Sequence, residues 1–472
     1  MVSSQRYRSS GGAGLSAGTI LLSVTSLGLV GFFIWLAAGD KDVAWVIFMG
    51  LVAITSFAFV LMDKPIHLAV LLFTASLLQR ALGAIFENPN ALLLDDLVLV
   101  SVALWVVSQF LRRRNISSRT VVFILVFFLI MAVAFVQATN TSIAIYQLRQ
   151  ILVPVILVLF GMCLTKEQVQ KLTPFVIFLG VIGALYAAFE LLGVYPVDPA
   201  GYSGFQSTGP TLSYGRDLPG FYYYYLPDGE ALIRTGGLLL NPPSFGMYCG
   251  AAFMWVWLDP GRRSMAANLS LSAILLFGAI SSFSRGGFVI LALAILQPFL
   301  TRKSGQLAFI LVAAVIGFVA LQEFSDDGQS GRHVDGAFYG FQYALTHPIG
   351  GGFGRVGNAV ASLTGESTDA GESLAAIFLA AAGWFGILVI AYLIYRGVRA
   401  GRTMNGAALT AAVLVALLSE TAGGLDATGT LWILAGTALG YGSRAQLPVG
   451  GADIDEPDSR SSTPIITTTR RR

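Results

Sequence analysis

Two arginines stand at breaks between long apolar stretches of this chain, where a positive charge needs a partner. Arg285 lies in the segment Ser-Ser-Phe-Ser-Arg-Gly-Gly at 281–287, and Arg234 lies shortly before the apolar run that follows Asn241. A guanidinium at the edge of a membrane is costly unless it meets an anionic or strongly dipolar group, and its planar fork suits phosphate oxygens. The pair predicts a site for a phosphate-bearing substrate at one membrane face.

The residues around each arginine predict helix starts. Asn241 is followed by two prolines, which suit the first turn of a helix, so the backbone N–H groups of that turn could face an anion. The glycines after Arg285 allow the backbone to turn tightly. Taken alone, each segment has a structural alternative, namely a plain helix start whose arginine lies among lipid headgroups.

Two further segments carry candidate groups. His347 opens a glycine-rich run that ends at Arg355; its glycines allow close approach to a ligand or a positive φ, but the spacing of a Walker loop is absent. Glu372 stands at the mouth of the next apolar run, where a carboxylate is either a plain interfacial residue or a proton acceptor. The three histidines are scattered and do not form the ligand set of a metal site.

The composition identifies the elements that must position these residues as membrane helices. The chain has 472 residues, of which 55% are hydrophobic and 12% charged, with a mean hydropathy of +0.72. A soluble domain carries about 25% charged residues. The two cysteines lie in apolar runs, so no structural disulfide is expected. We therefore predict an all-α integral membrane protein.

Hydropathy predicts twelve to fourteen transmembrane helices, several of them short. The apolar stretches lie at about 15–38, 43–62, 66–86, 92–111, 118–137, 144–164, 172–193, 244–258, 266–282, 286–300, 306–321, 372–395, 404–420 and 427–442. Lys and Arg concentrate on alternate connections, which places both termini in the cytoplasm. Residues 1–443 form one membrane domain with two long extracytoplasmic loops, at 194–243 and 322–371, and 444–472 is expected to be a disordered cytoplasmic tail.

Seven ionisable residues fall inside the predicted helices, all toward the outer face. They are Arg80, Asp95, Asp96, Arg149, Glu190, Glu420 and Asp426. Ionisable groups at this depth are costly unless they are paired or face water. One interpretation is a structural ion pair of Arg80 with Asp95 or Asp96. The other is a polar cavity that opens outward, which the shared depth of all seven favours.

The order of these segments resembles the O-antigen ligase and polymerase superfamily of bacterial envelope polysaccharide assembly, over about 140–400. Four pieces occur in the family's order: Arg-x-x-Gly with Asn-Pro (Arg234, Gly237, Asn241, Pro242), Ser-Arg-Gly (Ser284, Arg285, Gly286), His-Pro-x-x-x-Gly-x-Gly (His347, Pro348, Gly352, Gly354) and Gly-x-x-Gly (Gly383, Gly386). Each piece is unspecific alone, and their order around a large external loop carries the resemblance.

The resemblance implies a glycosyltransferase of the bacterial plasma membrane whose active site faces the periplasm or the exterior. Its donor would be a polyprenyl-diphosphate-linked oligosaccharide, without metal, cofactor or nucleic acid. Further partners would be membrane lipid, a chain-length regulator and a flippase. Arg234 and Arg285 map to the arginines thought to hold the diphosphate. Ligases carry a His-Asn pair where this chain has Glu372 and Ser373, which favours a polymerase with Glu372 as the base.

Other residues are candidates for contacts with the diphosphate or the sugar. These are Arg149, Tyr222, Tyr223, Asn241, Arg332, His347 and Arg355. His347 is also an alternative base. The tyrosines at 222–225 fit stacking on sugar rings or anchoring at the membrane interface equally well.

Two other functions fit the same residues. A ligase-like transferase would join the glycan to a lipid, wall or protein acceptor. A flippase for lipid-linked oligosaccharides would be expected to have repeat symmetry and substrate groups near the midplane, whereas the polar residues of this chain cluster outward.

Overall fold

The computed structural model describes residues 41–86, 93–112, 118–197, 218, 222–225, 231–297, 329–357, 360, 373–400 and 403–444. The predicted first span at 15–38, the span at 306–321, Glu372 and the tail beyond 444 lie outside the described residues. So do residues 198–217, 219–221 and 226–230 of the predicted loop at 194–243, and residues 322–328, 358–359 and 361–371 of the predicted loop at 322–371.

Helices make up nearly all of the described chain. They are α1 (Lys41–Leu61), α2 (Pro65–Phe86), α3 (Leu94–Arg112), α4 (Ser118–Val136), α5 (Thr141–Cys163), α6 (Lys166–Leu191), α7 (Pro242–Trp257), α8 (Met265–Ser281), α9 (Arg285–Leu296), α10 (Gln329–Thr346), α11 (Leu374–Ala382), α12 (Trp384–Ala400), α13 (Met404–Leu418) and α14 (Leu425–Arg444). Three 3₁₀ turns span Gly237–Leu239, Pro260–Arg262 and Glu420–Gly423. A short antiparallel hairpin pairs β1 (Tyr223–Tyr225) with β2 (Ala231–Ile233).

Five of these helices are long and apolar enough to cross a membrane. The qualifying stretches are Val43–Leu61, Pro65–Gly83, Leu94–Arg112, Thr141–Cys163 and Lys166–Leu191, and four shorter apolar helices accompany them. With its single small hairpin, the described part of the chain is an all-α membrane protein, as the composition predicted. The orientation of its termini stays a prediction.

Local sequence determines where several helices begin. Thr165 and Gln168 form a capping box at the start of α6, in which each side chain accepts a hydrogen bond from the other residue's backbone N–H. Ser264 caps α8, and Thr403 caps α13, by accepting from the backbone three residues later. These caps satisfy backbone donors that a helix start leaves without partners.

The centre of the bundle is formed by α5, α7 and α14, which pack closely through small residues. A Cβ at Gly436 of α14 would overlap the carbonyl of Val158, and one at Gly161 of α5 would overlap the carbonyl of Ile433. Glycine therefore lets the two backbones touch, which is the usual source of helix association in a membrane. Trp255 of α7 donates its indole N–H to the carbonyl of Thr430 at 3.2 Å.

Two predicted segments differ from the structure. The predicted single span at 372–395 is broken into α11 and α12 at Gly383, which has φ +58. The chain turns there because the backbone of the preceding loop packs against it, and Trp384 N–H donates to the carbonyl of Pro348 at 3.0 Å. The predicted loop at 322–371 is also not all loop, since it contains the amphipathic helix α10.

Candidate functional site

Arg234 directly follows strand β2 and is fixed by the hairpin. Its backbone N–H donates to the carbonyl of Tyr222 at 2.7 Å, continuing the register in which Tyr223 faces Ile233. The 3₁₀ turn Gly237–Leu239 follows, and the chain then enters α7. The backbone of Arg234 is therefore fixed by the hairpin that precedes it and by the 3₁₀ turn and helix α7 that follow it.

The guanidinium of Arg234 contacts the turn between α8 and α9. Its Nε donates to the carbonyl of Ser282 at 2.8 Å, and Nη2 lies 3.4 Å from the carbonyl of Phe283. The next residue, Thr235, donates its backbone N–H to the carbonyl of Ser281 at 3.1 Å, and the two side-chain hydroxyls are 2.7 Å apart. The segments that carry the two key arginines are therefore in direct contact.

Arg285 is the first residue of α9 and is half-buried beside this contact. Ser284 caps the helix by accepting from Gly287 N–H, and its hydroxyl donates to the carbonyl of Pro243 at 2.9 Å. The guanidinium carbon of Arg285 lies 6.0 Å from the centre of the Tyr224 ring, within the range of a cation–π contact. That ring stacks on Phe283 at 5.9 Å, so the turn that receives Arg234 also orients Arg285.

Like charges are brought together here. Burial and the neighbouring Arg285 lower the pKa of Arg234 to about 10. No carboxylate of the described residues lies within ion-pair distance of the Arg234 guanidinium. Its positive charge is oriented by carbonyl dipoles but is not neutralised by them, which is the arrangement that an anion would complete.

Glu190, at the end of α6, fixes the Arg234 segment from behind. Its buried carboxylate accepts from the backbone N–H of Gly237 at 2.8 Å and from the Tyr222 hydroxyl at 3.3 Å. Gly237 has φ +53, which a side chain would disfavour. The sequence singled out Glu190 as a buried charge without assigning it this role.

Burial corrects the role predicted for two tyrosines. Tyr222 is fully buried and Tyr223 is 4% exposed, so their rings pack inside the protein rather than facing sugar or lipid. Tyr224 is half-buried and contacts Arg285 instead. Asn241 caps α7, since its side-chain oxygen accepts from Ser244 N–H at 3.0 Å. The predicted helix start is confirmed, and its side chain is occupied by the cap.

The glycine-rich loop that follows α10 is built into the bundle. Gly350, Gly352 and Gly354 have φ of +86, +83 and +83, so this backbone path requires glycine. Its N–H groups are used internally: Gly351 donates to the carbonyl of Ala380 at 2.9 Å, and Gly354 donates to the Gln147 side chain at 2.8 Å. The sequence allowed either close approach of a ligand or a positive φ at these glycines, and the structure has the positive φ.

The polar residues beside this loop face outward. His347 is exposed, stacks on Tyr343 at 4.0 Å, and places its Nδ1 3.0 Å from the Thr346 hydroxyl. Arg355 is exposed and donates from Nε to the carbonyl of Gly351 at 3.1 Å. Arg332 lies in the first turn of α10, and its side chain lies outside the described residues.

The starts of α11 and α9 lie beside the same end of α13. Ser373 is buried and donates its hydroxyl to the carbonyl of Ala416 near the end of α13. On the same turn of α13, a Cβ at Gly286 would lie 3.3 Å from Val415. The residue after Arg285 and the first described residue after Glu372 therefore contact neighbouring positions of one helix.

The chain matches no protein-family model, no curated protein and no solved structure. The four motif pieces nevertheless meet in space as two contacting pairs. The Arg234 segment contacts the Ser284 turn, and Gly383 contacts the loop at 347–350.

The remaining ionisable residues form a network at the same end of the bundle, and their pairing corrects the prediction. Arg80 pairs with Asp426 at 2.6 Å, not with Asp95 or Asp96. Arg149 takes those two aspartates: its Nε lies 2.7 Å from each oxygen of Asp96, and its Nη2 lies 3.4 Å from Asp95. Arg149, predicted as a substrate contact, is thus engaged with carboxylates, although about a third of it is exposed.

The network also touches the Arg234 segment. Arg80 donates from Nη1 to the carbonyl of Leu239 at 3.0 Å, at the end of the 3₁₀ turn that follows Arg234. Gln150 donates its side-chain amide to the Glu420 carboxylate at 3.0 Å. Within the ranges that the structure describes, no three His, Cys, Asp or Glu side chains are grouped so as to hold a metal ion.

Proposed function

We propose that this chain is a polysaccharide polymerase of the plasma membrane that uses a polyprenyl-diphosphate-linked oligosaccharide as its donor. The observation that carries this proposal is the pair of half-buried arginines at the Ser282–Phe283 turn, Arg234 and Arg285, of which Arg234 has no carboxylate partner in the described residues. A diphosphate supplies two adjacent anionic groups, and guanidinium forks suit such oxygens better than ammonium groups do.

The transfer step needs charge stabilisation at the leaving group. A hydroxyl oxygen of the acceptor glycan forms a bond to the anomeric carbon of the donor sugar. The bond from that carbon to the phosphate oxygen breaks, and its electron pair leaves with the polyprenyl diphosphate. Arg234 and Arg285 stabilise this growing negative charge, because they are held in place before the reaction. Glu372 accepts the proton that the attacking hydroxyl loses.

The placement of Ser373 supports Glu372 as the base. Ser373 and Gly286 contact adjacent residues of α13, so the chain on either side of the proposed site meets at one end of that helix. A base must come within hydrogen-bond reach of the attacking hydroxyl, near the leaving group that the arginines hold. The contacts of Ser373 and Gly286 with α13 support this assignment, because the residue after Glu372 and the residue after Arg285 both lie beside the same end of that helix.

The test is a reaction with purified full-length protein in lipid nanodiscs and a polyprenyl-diphosphate oligosaccharide as the added substrate. A ladder of products that differ by one repeat unit supports a polymerase. One transfer per acceptor, seen only when a lipid, wall or protein acceptor is added, would replace the proposal by a ligase. Movement of the donor between leaflets in liposomes with no covalent product would replace it by a flippase.

A further inference from the structure

Two adjacent carboxylates at the start of α3 share one guanidinium. Asp96 is bound by Arg149 through two 2.7 Å contacts, whereas the nearest oxygen of Asp95 is 3.4 Å from the same side chain. Asp95 is 2% exposed and Asp96 is 27% exposed. Three groups with formal charges of −1, −1 and +1 leave one negative charge in excess, and it falls on the more deeply buried carboxylate.

Among the described residues, the other charged groups near Asp95 do not offset this excess. Asp426, at the start of α14, lies within electrostatic range of Asp95 and is itself paired with Arg80 of α2. Tyr146 lies near Arg149, Asp426 and Glu420, and neither Tyr146 nor Glu420 adds a positive charge. A buried, incompletely paired carboxylate is costly, and it is stabilised by a cation or by taking up a proton.

A second, independent feature points to a ligand at this position. Gln79 of α2 donates its amide Nε2 to Asp95 at 3.0 Å, so its amide group lies within the cluster. Its amide oxygen Oε1 is buried and accepts no hydrogen bond from the residues that the structure describes, and the side chain is only 5% exposed. The Asp95 carboxylate and the oxygen of the amide that is hydrogen-bonded to it are hard oxygen ligands, which suit a proton or an alkali-metal ion.

We propose that Asp95 and Gln79 form a binding site for one small monovalent cation, either a proton or an alkali-metal ion. The proposal does not depend on the glycosyltransferase function. The cation neutralises the excess charge of the Asp95–Asp96–Arg149 group. It also connects to the site of the arginines, because Arg80 joins Asp426, next to Asp95, to the carbonyl of Leu239.

The test measures the thermal stability of the purified full-length protein in nanodiscs. Sodium or potassium chloride is titrated against choline chloride at equal ionic strength, and the pH is varied separately. For an alkali-metal ion, the unfolding temperature should rise by roughly 1–2 °C for each tenfold increase in the ion above its dissociation constant, with no rise in choline. For a proton, the wild type should have the infrared carbonyl band of a protonated carboxyl, and Asp95→Asn should lack it.

Three variants make the result specific. Asp95→Asn removes the ligand charge, and Asp96→Asn leaves Arg149 to Asp95 alone, so each should abolish the dependence on the cation. Asp63→Asn is the control. Asp63 is half-exposed between α1 and α2 and pairs at 3.6 Å with Arg112, the last residue of α3, away from Asp95. If Asp95→Asn does not fold, Asp96→Asn still tests the charge argument. The proposal is overturned if the wild type shows neither response, or if both variants respond as the wild type does.

Discussion

The Nε of Arg234 lies 2.8 Å from the carbonyl oxygen of Ser282, in the turn that leads directly into Arg285. Because a carbonyl and not a carboxylate receives this guanidinium, the contact fixes the position of the charge and leaves it uncompensated. Tyr224 completes the arrangement by stacking on Phe283 and lying beneath Arg285. The turn therefore brings two cations from different segments together at one place.

Arg285→Lys should lower the rate of polymer formation by about ten- to a hundredfold, because lysine keeps the charge but loses the planar fork that can hold two phosphate oxygens. The measurement is product formed per minute with purified enzyme and lipid-linked donor. Arg396→Lys is a matched control, since Arg396 also lies over a tyrosine ring, that of Tyr392 at 5.8 Å, but at the other end of the bundle. Equal activity of the two variants would remove Arg285 from the site.

The affinity for the donor should depend on pH through Arg234. Burial and Arg285 lower the pKa of Arg234 to about 10. The charged form binds the diphosphate, so affinity is full below pH 10 and falls about tenfold for each pH unit above it. The measurement is the ratio of the wild-type affinity to that of Arg234→Met between pH 8 and about 11, which cancels the titration of other groups. A ratio that stays constant up to the highest pH would contradict the role of Arg234.

Two glycines should be intolerant of even a methyl group. Gly350 has φ +86 and a Cβ there would overlap the carbonyl of Ala381, while Gly383 has φ +58 and faces the carbonyl of Pro348. Alanine at either position should destabilise the protein by about 1–3 kcal/mol or prevent folding. Gly50→Ala in α1 is the control, because nothing lies within 4 Å of a Cβ there, and it should be neutral or slightly stabilising. Thermal unfolding in nanodiscs measures all three.

The sequence predicted the ends of the helices better than their partners. Hydropathy marks long apolar runs, so α1 to α5 were predicted within three residues of their observed bounds, whereas α6 begins six residues before its predicted start because its first turns contain charged residues. The partner of Arg80 could not be found this way, because Asp426 is distant in sequence and only the packing of α2 against α14 brings the two together. Helix α10 was missed because its polar and glycine residues lack the continuous apolar run that marks a span.

The site shows the same division. The predicted spans correctly placed the segments of Arg234 and Arg285 on one side, since helix starts and ends alternate along an antiparallel bundle. The burial of Tyr222 could not be predicted, because a run of five adjacent aromatic residues carries no signal for which ring faces inward. The carbonyl contacts of Arg234 were hidden too, since a backbone acceptor can be supplied by any residue type.

Glu372→Gln should lower turnover by about a hundred- to ten-thousandfold while leaving the affinity for the donor nearly unchanged, because an amide cannot accept the proton of the attacking hydroxyl. Turnover is measured by product formation, and affinity by binding of the lipid-linked donor without acceptor. His347→Ala is the comparison, since His347 is the alternative base and is exposed beside the glycine-rich loop. Full activity of Glu372→Gln together with loss of activity in His347→Ala would transfer the role to the histidine.

Glu190→Gln should impair catalysis through Arg234 without removing any group that touches the substrate. The carboxylate accepts from Gly237 N–H and from the Tyr222 hydroxyl, and an amide that turns its NH₂ toward either donor leaves it without an acceptor. We expect the protein to lose about 1–3 kcal/mol of stability and the KM for the donor to rise. Tyr222→Phe removes one of the two bonds and should cost less, about 0.5–1.5 kcal/mol. If Glu190→Gln lowers the unfolding temperature but leaves the KM for the donor at its wild-type value, Glu190 supports the fold and does not position Arg234.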